Sequence, residues 1–320
     1  MVGKLTPDSI ATASVIPTIM GLSRYATPND ALANALAAME GRTPEFKGNE
    51  ATHWGDALEP IIIAEAAHRL GLKNLRTEFD KAFFHSTLAL ACSLDGTAEG
   101  DGLLAPSYKK RIFCMNGIDG RIDISGTGII ESKLTSAAPE DFPQPFRGPW
   151  QLQAQMMCTG YNWGVVATLY RGIELRLFVY QADKEMQRQI VAAVDDFERR
   201  KRNGDWYPAA SSDDANTAYS HVDDGVDDIP LDNDETGIAA LREFIEAKAE
   251  RDAVDSRVES AEMALKEIIG NHEGVTGTIG NTRYRVTWPM RTYKAQPEKV
   301  VPAKLGYVTR QKTLTVKEVY

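Results

Sequence analysis

From Asp205 to Glu235 the chain has no lysine or arginine, while aspartate recurs at 213, 214, 223, 224, 227, 228, 232 and 234. So charged a stretch buries too little apolar surface to offset the entropy of ordering its backbone. It reads as a solvated acidic linker over 208–235, separating an N-terminal part (1–207) from a C-terminal part (236–320). It is not a calcium loop, because the D-x-[DN]-x-[DN]-G spacing is missing.

The 320 residues are 43% hydrophobic and 25% charged, an ordinary globular composition. The formal net charge of -9 gives no global attraction to nucleic acid, so any DNA contact must come from a local basic patch. Three cysteines, with no C-x-x-C spacing, argue against a zinc ribbon, an iron–sulfur cluster or a disulfide framework. No apolar run approaches about 18 residues and no signal pattern opens the chain, so the expectation is a cytoplasmic protein without a membrane segment.

Within the N-terminal part, Gly128-Ile-Ile-Glu-Ser-Lys133 reads as a short strand. Alternation puts Ile129, Glu131 and Lys133 on one face, so a carboxylate and an ammonium stand at the edge of an apolar patch. Such a pair can hold a cation and orient a water, as phosphodiester hydrolysis requires, or it is a plain charge pair. Its meaning depends on its neighbours. Helices are expected over 28–39, with Thr27 or Asn29 as cap, and over 49–71, with Pro60 kinking the second or starting a new turn. In helical phase Glu59 shares a column with Gly55, Ile62, Ile63 and Ala66 and faces the protein body, or it serves the helix dipole. His53 reads as a packing or capping residue.

Two strands are expected over 76–98. In the second, His85–Gly96, small residues lead to Asp95, which reads either as a site acid or as a turn residue. Residues 99–127 look like an inserted loop or hairpin that carries Lys109-Lys110-Arg111 and two alternative acids, Asp119 and Asp123. After an irregular loop with Arg147, Pro149 opens a helix on which Gln151 and Gln155 share a face. A hairpin turning at Arg171-Gly172 and a helix from about 183 to 202 follow. The C-terminal part reads as an amphipathic helix over 236–270, then strands at 284–288 and 313–317. Its arginines and lysines, from Arg283 to Lys312, suit a nucleic acid or partner surface.

Glu59, Asp95, Glu131-x-Lys133 and the helix beginning at Gln151, in that order, resemble the PD-(D/E)xK nuclease superfamily. Within it the chain is similar to the YqaJ-like viral recombinases related to lambda exonuclease. The matching stretches are Thr12-Ala13-Ser14, Trp54–Pro60, Ala91–Gly96, Glu131-Ser132-Lys133 and Gln151-Leu152-Gln153.

The resemblance implies an α/β (α+β) restriction-endonuclease-like core, a mixed central sheet flanked by helices, with a C-terminal helix and small β module added. It implies that Asp95, Glu131 and the Ser132 carbonyl bind Mg²⁺ (or Mn²⁺), with Glu59 helping directly or through water. Lys133 would orient the attacking water and Gln151 would sit by the scissile phosphate. Ser14 and Ser93 would hold a DNA 5′-phosphate. The family's arginine before Thr-Ala-Ser is missing here, so Arg24, Arg42 or Arg147 would have to supply the positive charge. The implied reaction is 5′→3′ degradation of one strand from double-stranded DNA ends. The implied partners are a RecT-type single-strand annealing protein and further copies of the chain, as a trimer. An endonuclease of the same superfamily and a non-catalytic DNA-binding recombination scaffold are the alternatives.

Overall fold

Capping signals legible in the sequence set most helix boundaries in the computed structural model, which describes residues 6–42, 48–220 and 228–290. Strand β1 is Ala11–Thr12 and helix α1 is Ile16–Ile19. Helix α2, Pro28–Met39, starts in a capping box. Thr27 Oγ1 accepts from the Asp30 N–H, and the Asp30 carboxylate accepts from the Thr27 N–H. Helix α3, Glu50–Leu70, is capped by Asn49 and ends on left-handed Gly71. Pro60 lies inside α3 and does not begin a second helix. Ile62, Ile63, Ala66, Ala67 and Leu70 are buried along one side, and that packing outweighs the missing N–H.

The strand expected over 85–96 is broken. After β2 (Lys73–Arg76) and β3 (Phe83–Phe84), His85 Nδ1 accepts from the Thr87 and Leu88 N–H groups at 3.2 and 3.1 Å and turns the chain. Only Leu90–Cys92 then forms β4, and β5 begins at Gly96 and runs to Gly100. Between these two short strands the chain passes from one sheet to another, and Asp95 falls in the gap.

The next elements are β6 (Leu103–Leu104), β7 (Ile112–Cys114), β8 (Ile122–Asp123), β9 (Gly126–Thr135), α4 (Pro149–Thr159), β10 (Trp163–Tyr170), β11 (Glu174–Gln181), α5 (Lys184–Asn203) and α6 (Ser212–Ala218). The main sheet has the order β2-β5-β9-β10-β11-β7 and mixes parallel with antiparallel pairs. A smaller sheet has the order β1-β4-β3. Residues 99–127 are therefore not a free insertion. β7 is the edge strand of the main sheet, parallel to β11, and β6 pairs with β8. Ile112, Ile122 and Ile124 are buried in the core beneath α3, and this burial anchors the stretch.

Both faces of the main sheet are covered. Ile130, Val165, Ala167 and Leu177 pack with Ile62 and Ile63 of α3. Ile129, Val166 and Phe178 pack with Leu152 of α4, Val194 of α5 and Leu32 of α2. The acidic stretch starts later than its composition implies, because α6 is docked on α2. Asp214 is buried and accepts from Thr27 Oγ1, Asn29 Nδ2 and the Ala210 N–H at 2.5, 3.1 and 2.8 Å. An aspartate with three donors is not a solvated linker residue.

The chain divides into two units, 1–220 and 221–320. In the second, α7 (Glu235–Ile269) is capped by Asp234 and followed by the hairpin β12 (Gly274–Ile279) and β13 (Thr282–Thr287). Ile269 is the buried residue of α7, while Leu241, Ile245, Val254 and Val258 are exposed. The strand expected at 313–317 and the basic residues from Arg291 onward lie outside the described residues. No helix among the described residues is long and apolar enough to cross a membrane.

The position of β9 depends on close approach at Gly128. A Cβ there would stand 2.2 Å from the ring of Trp163, which is fully buried. Gly128→Ala is expected to lower stability by about 1–3 kcal/mol through overpacking, read as a lower urea midpoint at unchanged slope.

Candidate active site

Glu131 lies inside β9 and is 1% exposed. Its face is the one strand alternation assigns: Ile129 packs on the α4 side and Ile130 on the α3 side. One Glu131 oxygen accepts from Lys133 Nζ at 2.5 Å and the other from Gln155 Nε2 at 2.6 Å. Lys133 Nζ also donates to Gln151 Oε1 at 3.0 Å. Helix α4 thus presents two amides one turn apart to the Glu131–Lys133 pair. Its start is set by Gly148, at φ 105°, followed by Pro149. Gln155 is fully buried and also donates to the Ser93 carbonyl at 3.2 Å. Sequence reasoning passed it over in favour of Gln151, although the shared face was the signal that finds it.

Asp95 reaches the same place from the gap between β4 and β5. Its Oδ2 accepts from the Ser132 N–H at 2.8 Å. In a strand the N–H and C=O of one residue point to the same side. The Ser132 carbonyl therefore opens toward Asp95, beyond the point where β5 begins at Gly96, which pairs with Ile130. Asp119 and Asp123 do not take this place. Asp123 accepts from the Ser125 N–H and hydroxyl at 2.9 and 2.6 Å, and Asp119 is exposed at a left-handed turn position.

Like charges crowd the site. Burial first, and then the Glu131 charge, push the Asp95 carboxyl well above the usual carboxylate range. Burial, Glu131 and Asp56 raise Glu59 in the same way, so the middle of α3 belongs to this electrostatic cluster. Burial pulls the Lys133 ammonium down, but Glu131, Asp95 and Glu59 outweigh it and hold its pKa above the ordinary lysine value. Lys133 is an ammonium in this arrangement.

The two serines lie just past a pair of strands. β1 pairs parallel with β4, Thr12 against Ala91; Ser14 follows β1 in a turn, Ser93 follows β4, and both are exposed. Ser14 Oγ lies 3.1 Å from Thr12 Oγ1. The arginines are placed otherwise. Arg147 is 7% exposed and ion-paired with Glu140, which also accepts from Tyr170 Oη at 3.3 Å, so its guanidinium is engaged inside the protein. Arg24 is exposed and lies over the rings of Tyr25 and Phe146 at 4.8 and 5.4 Å, near the start of α4. Arg42 pairs with its near neighbour Glu40.

A mixed sheet covered by helices on both faces, with an aspartate at a strand entrance and Glu-x-Lys on the adjacent strand, is the arrangement that the sequence resemblance implies. Residues 5–162 match the YqaJ-like viral recombinase domain. Among solved structures, the alkaline exonuclease LHK-Exo from Laribacter hongkongensis is 19% identical, covering 62% of this chain and 90% of its own, with a TM-score of 0.45. The same enzyme in complex with dAMP gives 20% identity, 61% and 89% coverage and a TM-score of 0.44. A phage related exonuclease from Haemophilus somnus 129PT is 12% identical, with 61% and 94% coverage and a TM-score of 0.39. Comparison with curated proteins finds no match.

The residues present fit a hard divalent cation. Among the described residues no three His, Cys, Asp or Glu side chains gather closely enough to cage a metal. The oxygen set is instead the Asp95 and Glu131 carboxylates with the Ser132 carbonyl, and Glu59 acts at longer range. Magnesium is commonly held this way, by one or two carboxylates with waters and substrate phosphate completing its shell. The Gln155 Oε1 is buried with no hydrogen-bond partner among the described residues, an acceptor that a metal-bound water satisfies.

Ionised Asp95 is destabilised first by burial and then by the Glu131 charge, so folding without metal works against its charge. Because the folded pKa is raised, this cost grows as pH rises through it and vanishes below the unfolded value near ~4. Asp95→Asn is expected to raise the melting temperature in EDTA by roughly 2–4 °C near neutral pH, with the gain lost at acid pH. A variant that melts no higher than the parent at neutral pH contradicts the charge crowding.

Proposed function

We propose that this chain is a Mg²⁺-dependent exonuclease that degrades one strand of linear duplex DNA 5′→3′ by phosphodiester hydrolysis. The observation that carries the reading is the convergence of Asp95, Glu131, Lys133 and Gln151, with the Ser132 carbonyl, on one point between β5, β9 and α4. Nuclease chemistry agrees with the viral recombinase domain that residues 5–162 match. The 5′→3′ direction, the 3′ overhang handed to a RecT-type annealing protein and the trimer rest on the family resemblance.

Each residue has a role its geometry supports. Asp95 and Glu131 supply the negative oxygens that hold the cation. The cation supplies Lewis-acid polarisation of the phosphate and a more acidic water. Lys133, fixed by Glu131 and Gln151 and held as an ammonium, orients the attacking water and balances charge building on the phosphate. Its raised pKa suits it poorly to take a proton. Gln155 holds the Glu131 oxygen remote from Lys133 and so sets the orientation of the carboxylate. Ser14 and Ser93, both exposed just past the paired strands β1 and β4, are the candidate contacts for a terminal phosphate, and Arg24 is an exposed arginine that could add positive charge.

The test is degradation of end-labelled linear duplex with Mg²⁺ or EDTA, beside closed circular DNA. Glu131→Gln and Lys133→Ala are each expected to lower the rate at least about 10²-fold, and EDTA to abolish it. Cleaved circles would show an endonuclease. DNA binding with no metal-dependent cleavage of either substrate would show a scaffold. Gln155→Leu should fold, yet lose roughly 10–100-fold in activity or Mg²⁺ affinity, read as a higher Mg²⁺ concentration at half-maximal rate.

A further inference from the structure

The motif Lys109-Lys110-Arg111 has no part in the site described above. The turn that carries it is firmly held. Ser107 and Ile112 exchange N–H···O bonds at 3.0 and 2.9 Å, and the Arg111 N–H donates to the Tyr108 carbonyl at 3.1 Å. Arg111 stacks over the exposed Tyr108 ring at 4.4 Å. Lys110 Nζ donates to the Arg69 carbonyl at 3.0 Å, a neutral partner that leaves its charge uncompensated. Lys109 is exposed and makes no ion pair among the described residues. With His68, Arg69 and Leu175 these residues line one open concavity. Its lining acid, Glu174, is committed to Arg111 and Arg176, and Glu65 of α3 is committed to His68 and Arg69. In a chain of net charge -9, exposed ammonium groups held on a rigid turn form a local positive field.

The place of this concavity relative to the acids is informative. Helix α3 carries Glu59 toward the cluster at one point and His68 and Arg69 toward the concavity at another. Ten residues of helix separate Glu59 from Arg69, about 15 Å at the α-helical rise. Arg171 lies along the same edge, where its N–H donates to the Thr135 carbonyl at the end of β9, two residues beyond Lys133. A DNA strand advances about 3.4 Å per nucleotide, so about 15 Å corresponds to roughly four to five phosphates.

We propose that the 107–111 turn, with His68 and Arg171, is a second contact for the phosphate backbone of duplex DNA. It would engage the duplex about four to five nucleotides from the phosphodiester at Glu131 and Lys133. This rests on the nuclease reading for its substrate but not for its measurement, because binding is read without cleavage.

The experiment is fluorescence anisotropy in EDTA with the full chain and a Lys109→Ala/Lys110→Ala variant. The ligands are a long duplex, a hairpin whose stem is about four base pairs, and a single strand of the long duplex's length. Both lysines are exposed, so an unchanged melting temperature is expected. Two lost phosphate contacts are expected to lower the salt slope of long-duplex binding by about 2, leaving binding of the short hairpin unchanged. With Mg²⁺ added, KM for the long duplex should rise while kcat stays constant. An unchanged slope on the long duplex overturns the proposal. An equal loss on the single strand also overturns it, in favour of a single-strand track. If the slope falls as expected but the parent protein cleaves nothing, this surface stands and the nuclease reading falls.

Discussion

A carboxylate buried to 1% exposure in the middle of a sheet is the constraint on which the rest of unit 1–220 depends. An unpaired charge in such a place costs several kcal/mol, and Glu131 is tolerated because both oxygens are met. Lys133 meets one from the same strand face, and Gln155 meets the other from α4. The second bond sets the rotation of α4, because a turn of that helix by one residue would aim Gln155 elsewhere. Gln151 then necessarily falls beside Lys133.

Asp95 extends the argument to the smaller sheet. Its bond to the Ser132 N–H bridges the gap where the chain passes from β4 to β5. That break frees an aspartate to point at its neighbour strand, and it leaves the Ser132 carbonyl without a ladder partner on that side. The result is a concentration of negative oxygen that the fold by itself does not neutralise, with Asp95 and Glu59 both raised by burial and by the Glu131 charge. Surplus charge of this kind marks sites where stability is given up for a cation or an anionic substrate.

Much of this was readable in the order of residues. Thr27, Asn49, Pro149, Gly71 and Gly160 mark helix ends through local hydrogen bonding and backbone geometry, and they act over a few residues. The Glu131–Lys133 pairing follows from strand alternation alone. The reading of 85–96 as one strand failed because its apolar alternation continues through the point where the sheets separate. The edge strand within 99–127 was not legible, because Ile112–Cys114 is too short a segment to announce a strand whose partner, β11, lies more than sixty residues away. Arg147 looked available beside the site, and only its partner Glu140, on the same irregular loop, shows that it is internal.

What the sequence by itself determined is therefore local: helix boundaries, the face of each strand, and an ordered set of acids that resembles one superfamily. What only the tertiary structure decided is which groups meet. It selected Asp95 over Asp119 and Asp123, added Gln155, paired β1 with β4, enclosed Arg147, and placed Lys109–Arg111 beside the C-terminal end of α3. The physical reason is range. Caps and alternation act between residues a few positions apart, whereas a charge–charge contact depends on strand register and helix rotation, which are settled by packing the whole core.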